Sequence, residues 1–160
     1  MIYPNLRNNP PQFAKKKMTR QEYKDMYDAI GVAMEVHRTL GRGMAEQVYQ
    51  EAYAIEAHLR GMDMEREKRL QLFYKGVELQ KVFFADFFYK GIVMEFKSVE
   101  EVCAEHRAQL INYLRIARLD RGILFNFGEM NLHTERYLYQ PEEDRYVLLT
   151  HENFTQYLSD

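Results

Sequence analysis

Hydrophobic positions recur at helical spacing in three parts of the chain and run almost without a break through its middle. In the first part Tyr23, Met26, Ile30, Ala33 and Val36 with His37 share one face, and Thr19 followed three residues later by Glu22 forms a capping box. A helix is predicted from there to about Arg38, with Leu40-Gly41-Arg42-Gly43 as its breaker. A second helix is expected from about Met44 to Arg60, stopped by Gly61. At ~100° of turn per residue, its main apolar stripe is Met44, Val48, Ala52, Ile55 and Leu59. Glu46, Tyr49, Tyr53 and Ala57 fall on a different face, so this helix is expected to be covered on two sides. Glu46 would then be half-buried, where a carboxylate needs a partner.

From Glu65 to Ser98 the period changes to that of strands. Three are predicted, at about residues 67–74, 77–89 and 92–98, separated by the identical tripeptides Tyr74-Lys75-Gly76 and Tyr89-Lys90-Gly91. Lys-Gly suits a two-residue hairpin loop, because glycine supplies the positive φ that such turns need. Phe83, Phe84, Phe87, Phe88, Ile92, Val93 and Phe96 leave little room for polar alternation, so both sheet faces should be covered. A third helix at about 104–118, with Leu110, Ile111, Leu114 and Ala117 inward, precedes the buried strand Gly122–Gly128. Possible strands at 132–139 and 146–149 and a short terminal helix at 153–158 complete the series. The order predicts an α/β fold (mixed α+β): a mixed sheet with helices packed on it.

The chain has 160 residues, 46% of them hydrophobic, which suits one domain with a real core rather than two. Residues 19–160 are read as that domain, and residues 1–18, with Pro4, Pro10 and Pro11, as a disordered or extended tail. The net charge of −2 is unevenly spread: residues 1–20 carry five basic side chains and no acid, leaving −7 on the rest. Bulk charge therefore gives no argument for nucleic-acid binding, and any such case must rest on a site. The single cysteine, Cys103, excludes an internal disulfide and a multi-cysteine metal centre, and a cytoplasmic location is expected. No apolar run reaches the ~20 residues of a membrane helix, and no secretion signal is expected. The absence of a glycine-rich phosphate loop argues against a nucleoside triphosphate cofactor.

The candidate chemistry lies in the second predicted hairpin. Counting outward from Lys90-Gly91 puts Asp86 directly opposite Glu95, and Lys97 on the same face two residues further on. Two facing carboxylates repel each other unless a cation lies between them, and their oxygens suit Mg²⁺ or Mn²⁺. Lys97 could orient or deprotonate a water, or offset charge developing in a transition state. Hairpin geometry alone supports this metal site and a solvated salt-bridge ladder equally.

Asp86, followed by Glu95-Phe96-Lys97 on the next strand, resembles the D…(D/E)-x-K signature of the PD-(D/E)-x-K nuclease superfamily. Gln109-Leu110-Ile111-Asn112-Tyr113 resembles the Q-x-x-x-Y motif of its exonuclease-like branch. Gly43-Met44-Ala45-Glu46-Gln47-Val48-Tyr49 is similar to the G-x-x-E-x-x-Y pattern that names one bacterial family within it. The resemblance spans about residues 37–128. It departs at Ala85, where proline often precedes the aspartate, and at Arg42, where L-G-P-G would have proline. It implies an αβββαβ restriction-endonuclease-like core and a metal-dependent nuclease acting on nucleic acid, DNA first. Asp86 and Glu95 would be metal ligands, Glu46 a further ligand, Lys97 catalytic, and Gln109 and Tyr113 substrate-positioning. The alternative is a catalytically degenerate module of this fold that binds nucleic acid or a protein partner.

Overall fold

Thr19 begins the first helix as the sequence predicts: its hydroxyl accepts the Glu22 amide at 3.1 Å while the Glu22 carboxylate accepts the Thr19 amide at 2.9 Å. Such a cap contributes about 1 kcal/mol. The structure is a computed structural model describing residues 15–160, and residues 1–14, most of the expected tail, lie outside the described residues. The last part of that tail belongs to the fold. Met18 is buried and bridges Leu158, and Lys16 pairs with Asp120, so the tail reading is corrected for residues 15–18. A methionine that fills a core gap does so regardless of the lysines beside it, which keep their charged ends outside.

Helix α1 (Arg20–Leu40) and helix α2 (Glu46–Leu59) pack against each other on one face of a six-stranded sheet. Its strands are β1 (Glu65–Leu70), β4 (Phe83–Tyr89), β5 (Ile92–Lys97), β6 (Arg121–Asn126), β7 (His133–Gln140) and β8 (Arg145–Leu149), in that spatial order. Helix α3 (Ala104–Ala117) covers the other face and connects β5 to β6, the single parallel pair among these strands. A short sheet of β2 (Phe73–Tyr74) and β3 (Val77–Glu78) stands apart. The expected strand over 77–89 is thus two strands, because the Lys75-Gly76 turn closes a small hairpin before the main sheet resumes at Phe83. The terminal helix is a 3₁₀ turn, Phe154–Tyr157. The mixed α/β architecture with an αβββαβ core is as the sequence predicts. Among the described residues no helix is long and apolar enough to cross a membrane.

Both sheet faces are dry. Ile92, Met94, Phe96, Ile123 and Phe125 point to the α1–α2 side, while Val93 and Leu124 point to the α3 side with Leu110 and Leu114. Each fully buried large side chain contributes roughly 1.5–3 kcal/mol. Gly122 lets α3 approach β6, since a Cβ there would lie 2.6 Å from Leu114 Cδ1.

Helix α2 corrects one expectation. Its core face is Tyr49, Gln50, Tyr53 and Ala57, whereas Met44, Val48, Ile55 and Leu59 of the expected stripe are exposed. The tyrosine face wins because both its rings and its hydroxyls find partners. Tyr49 stacks on Phe127 at 4.6 Å, and Tyr53 meets Phe96 edge-on at 5.0 Å while donating to the Ala29 carbonyl at 2.9 Å.

Candidate active site

The Lys90-Gly91 loop sets the geometry of the site. Both residues have positive φ (47° and 82°), a primed two-residue turn, and the β4–β5 ladder runs Tyr89↔Ile92, Phe88↔Val93, Phe87↔Met94. The paired ladder ends there, and Asp86 and Glu95 are the next residues along the two strands. There the side chains take over from the ladder. The Phe96 amide donates to Asp86 Oδ2 at 2.7 Å, and the Asp86 amide donates to Glu95 Oε1 at 3.3 Å.

Strand β4 also changes phase at this point. Phe83, Ala85 and Phe88 pack on the α3 side, but Phe87 and Tyr89 pack on the α1–α2 side. The alternation therefore slips by one residue at Asp86, a local irregularity of the kind that re-aims a side chain. On the other flank, Arg66↔Phe87 and Lys68↔Ala85 place Glu67 against Asp86, and Glu67 is held at φ 53°. A non-glycine residue in that region within a strand is strained. The sequence reading passed over Glu67, whose position depends on β1–β4 pairing across an intervening hairpin.

Burial dominates the electrostatics. It raises the Glu95 carboxyl to about 9, with the negative charge of Asp86 adding to the effect. Asp86 is also raised, first by burial, with the Phe96 amide pulling the other way. The nearby Glu67 charge adds to the rise of Asp86. Two carboxyls this close share a proton at neutral pH unless a cation neutralises them. Lys97, half-buried at the end of β5, lowers both.

Glu46 reaches the site from the first turn of α2. Its carboxyl is raised by burial, lowered by Lys97 and raised by Asp86, so it feels both groups. Tyr49 fixes the preceding loop: its hydroxyl donates to the Gly41 carbonyl at 2.6 Å and accepts the Met44 amide at 3.2 Å. Ser98, just past Lys97, donates to the Met44 carbonyl at 2.7 Å and ties that loop to the end of β5. Asn126, fully buried, bonds both the amide and the carbonyl of Val99 and so secures the chain beyond Lys97. A lone buried asparagine on the adjacent strand carries no recognisable spacing, so the sequence reading missed it. His37 is buried with Nε2 3.0 Å from the Glu129 carbonyl, a packing role.

Tyr113 of α3 lies face to face with Phe83, 3.5 Å between centroids and 4° between planes, three residues from Asp86 along the chain. Gln109, one helical turn earlier, is exposed. The structure thus sets Asp86 and Glu95 together with Lys97 in electrostatic reach of both, keeps Glu46 in reach of Lys97 and Asp86 but outside any group of three carboxylates, docks Tyr113 on the same strand, and leaves Gln109 facing solvent.

The residues fit a hard divalent cation in chemistry. Asp86 and Glu95 offer carboxylate oxygens in a partly buried place where their mutual repulsion is unrelieved, and Mg²⁺ is commonly held by one or two carboxylates plus water. Among the described residues no group of three or more His, Cys, Asp or Glu forms a ready-made cage.

A family model described as the PD-(D/E)XK nuclease superfamily matches residues 23–137. Searches of curated proteins and of solved structures return no match.

Proposed function

The chain belongs to the PD-(D/E)XK nuclease superfamily, and from that premise we propose that it is a metal-dependent phosphodiester hydrolase acting on nucleic acid, DNA in the first instance. The observation that carries this reading is the Asp86–Glu95 pair, two half-buried carboxyls facing each other with Lys97 on the same side. A binding module has no need of such a costly arrangement.

Asp86 and Glu95 would hold the metal, with Glu46 as a further ligand or reaching it through water. Mg²⁺ or Mn²⁺ bound there would polarise a phosphoryl oxygen and lower the pKa of a bound water. Lys97 would orient a water or offset charge developing on the phosphoryl oxygens. Tyr113 and Gln109 position the substrate on the α3 side. The G-x-x-E-x-x-Y segment Gly43–Tyr49 supports the reading of the chain as a member of the bacterial family of that name within the superfamily. The free thiol of Cys103 suits a cytoplasmic protein.

The absence of a three-ligand cage among the described residues favours one second reading, a degenerate module that binds nucleic acid or a protein partner without hydrolysis. Calorimetric titration of Mn²⁺ into wild type and Asp86→Asn, paired with cleavage assays on DNA and RNA, separates the two. Binding and cleavage lost together in the variant support the hydrolase. No binding and no cleavage by wild type, with substrate present, would favour the degenerate module.

A further inference from the structure

The β2–β3 hairpin is outside the machinery described above, yet it is rooted beside it: the chain leaves β1 at Leu70 and re-enters β4 at Phe83, three residues before Asp86. Every residue from 74 to 81 is exposed. Among them Tyr74 is 63% and Val77 69% exposed, and Phe84, just past the root, is 51% exposed. Large apolar side chains are ordinarily covered, and Tyr74 and Val77 turned outward on one short arm call for a partner.

The arm is also stiff. Lys75 (φ 47°) and Gly76 (φ 83°) form a primed turn, Tyr74 pairs with Val77, and the Leu79 amide donates to the Leu72 carbonyl at 2.8 Å. Leu72 is buried and Phe83 is stacked under Tyr113, so both sides of the root are anchored. The exposed surface is therefore held in place before any partner arrives.

Charge selects the partner. Residues 69–84 carry Arg69, Lys75 and Lys81 against the single acid Glu78, a charge of +2 in a chain whose total is −2, while Lys68 before them is paired with Glu65. Lys75 lies over the Tyr74 ring, 5.5 Å from its centroid. Cations beside an outward aromatic face suit a polyanion whose bases are free to stack, which a duplex does not offer.

We propose that the β2–β3 hairpin, with Tyr74, Lys75 and Lys81, is a docking arm for single-stranded nucleic acid that leads an unpaired strand to the Asp86–Glu95 site. The inference rests on the hydrolase reading of that site for its second half only. A base stacks on Tyr74 while the lysines meet phosphates.

Anisotropy of a labelled oligothymidylate and of a blunt duplex of equal length tests this on the full chain in EDTA, with Tyr74→Ala and Lys75→Gln/Lys81→Gln. Hydrolysis of bis(p-nitrophenyl) phosphate with Mn²⁺, a diester too small to span the arm, is measured alongside. The expected result is single-strand affinity at least roughly tenfold weaker in Tyr74→Ala. The lysine pair should give a log–log salt slope shallower by about 1.4, at roughly 0.7 per lost contact. Both variants should keep wild-type diester hydrolysis and melting temperature. Unchanged single-strand affinity in the variants, or a duplex bound as tightly as the single strand, overturns the proposal. Diester hydrolysis without any strand binding overturns the arm and leaves the hydrolase standing. Strand binding through the arm without diester hydrolysis supports the arm and removes the hydrolase.

Discussion

Asp86 and Glu95 each hold on to the other's strand: Asp86 Oδ2 accepts the amide of Phe96, and Glu95 Oε1 accepts the amide of Asp86. These bonds stand where the β4–β5 ladder would otherwise continue. The two carboxyls are therefore aimed by the backbone before a metal or substrate is bound, the kind of preorganisation an active site requires.

The first prediction concerns pH. The Glu95 carboxyl is raised from its ordinary 4.5 to about 9, so the folded chain holds a proton there that the unfolded chain releases near 4.5. That proton's stabilising contribution is full below pH about 4.5 and is lost as pH rises to about 9. Metal-free wild type should lose melting temperature across this range. Glu95→Gln, which cannot ionise, should lose less of it, melt higher than wild type at pH 8, and have no metal-dependent cleavage. Parallel pH–melting curves for the two proteins would remove Glu95 as the source, and full activity in the variant would sink the proposed site.

Lys97 is predicted to act on the reacting groups rather than on substrate affinity. Lys97→Met keeps the unbranched apolar stem without the amine and should lower kcat by roughly 10²–10⁴, the range of a positioned acid–base group. Substrate affinity measured in Ca²⁺ should change little. A loss confined to affinity would make Lys97 a phosphate contact only.

Tyr49 links the second helix to the site through its hydroxyl, which holds the Gly41–Met44 loop from both sides. Tyr49→Phe keeps the ring stacked on Phe127 and should cost about 1–2 kcal/mol of stability. Cleavage should also fall, because Glu46 follows that loop. Chemical denaturation and initial rates measure the two effects, and a stability loss with an unchanged rate would restrict Tyr49 to the core.

At Gly122 the close approach of α3 leaves no room for a methyl group. Gly122→Ala should destabilise by roughly 1–3 kcal/mol as Leu114 is forced from its place. A variant as stable as wild type would show that α3 can move away from β6 at little cost.

The parts of this protein that were legible in the sequence are those decided within a few residues. The Thr19 capping box starts α1 because its two hydrogen bonds are made between neighbours in the chain. The Lys90-Gly91 turn fixes the register of β4 and β5, and with it the closeness of Asp86 to Glu95, because hairpin partners are counted outward from the loop. Helix α2 could not be resolved that way. Two of its faces are apolar by spacing, and periodicity favours Val48, Ile55 and Leu59, but the core took Tyr49 and Tyr53. Only there do Phe127, Phe96 and the carbonyls of Gly41 and Ala29 meet the rings and hydroxyls. Glu67 beside Asp86, and Asn126 beneath the end of β5, were likewise decided by pairings between strands distant in the chain. Their environments exist only once the sheet has assembled, since the burial and repulsion that define the site are properties of what packs around a side chain and not of the residues next to it.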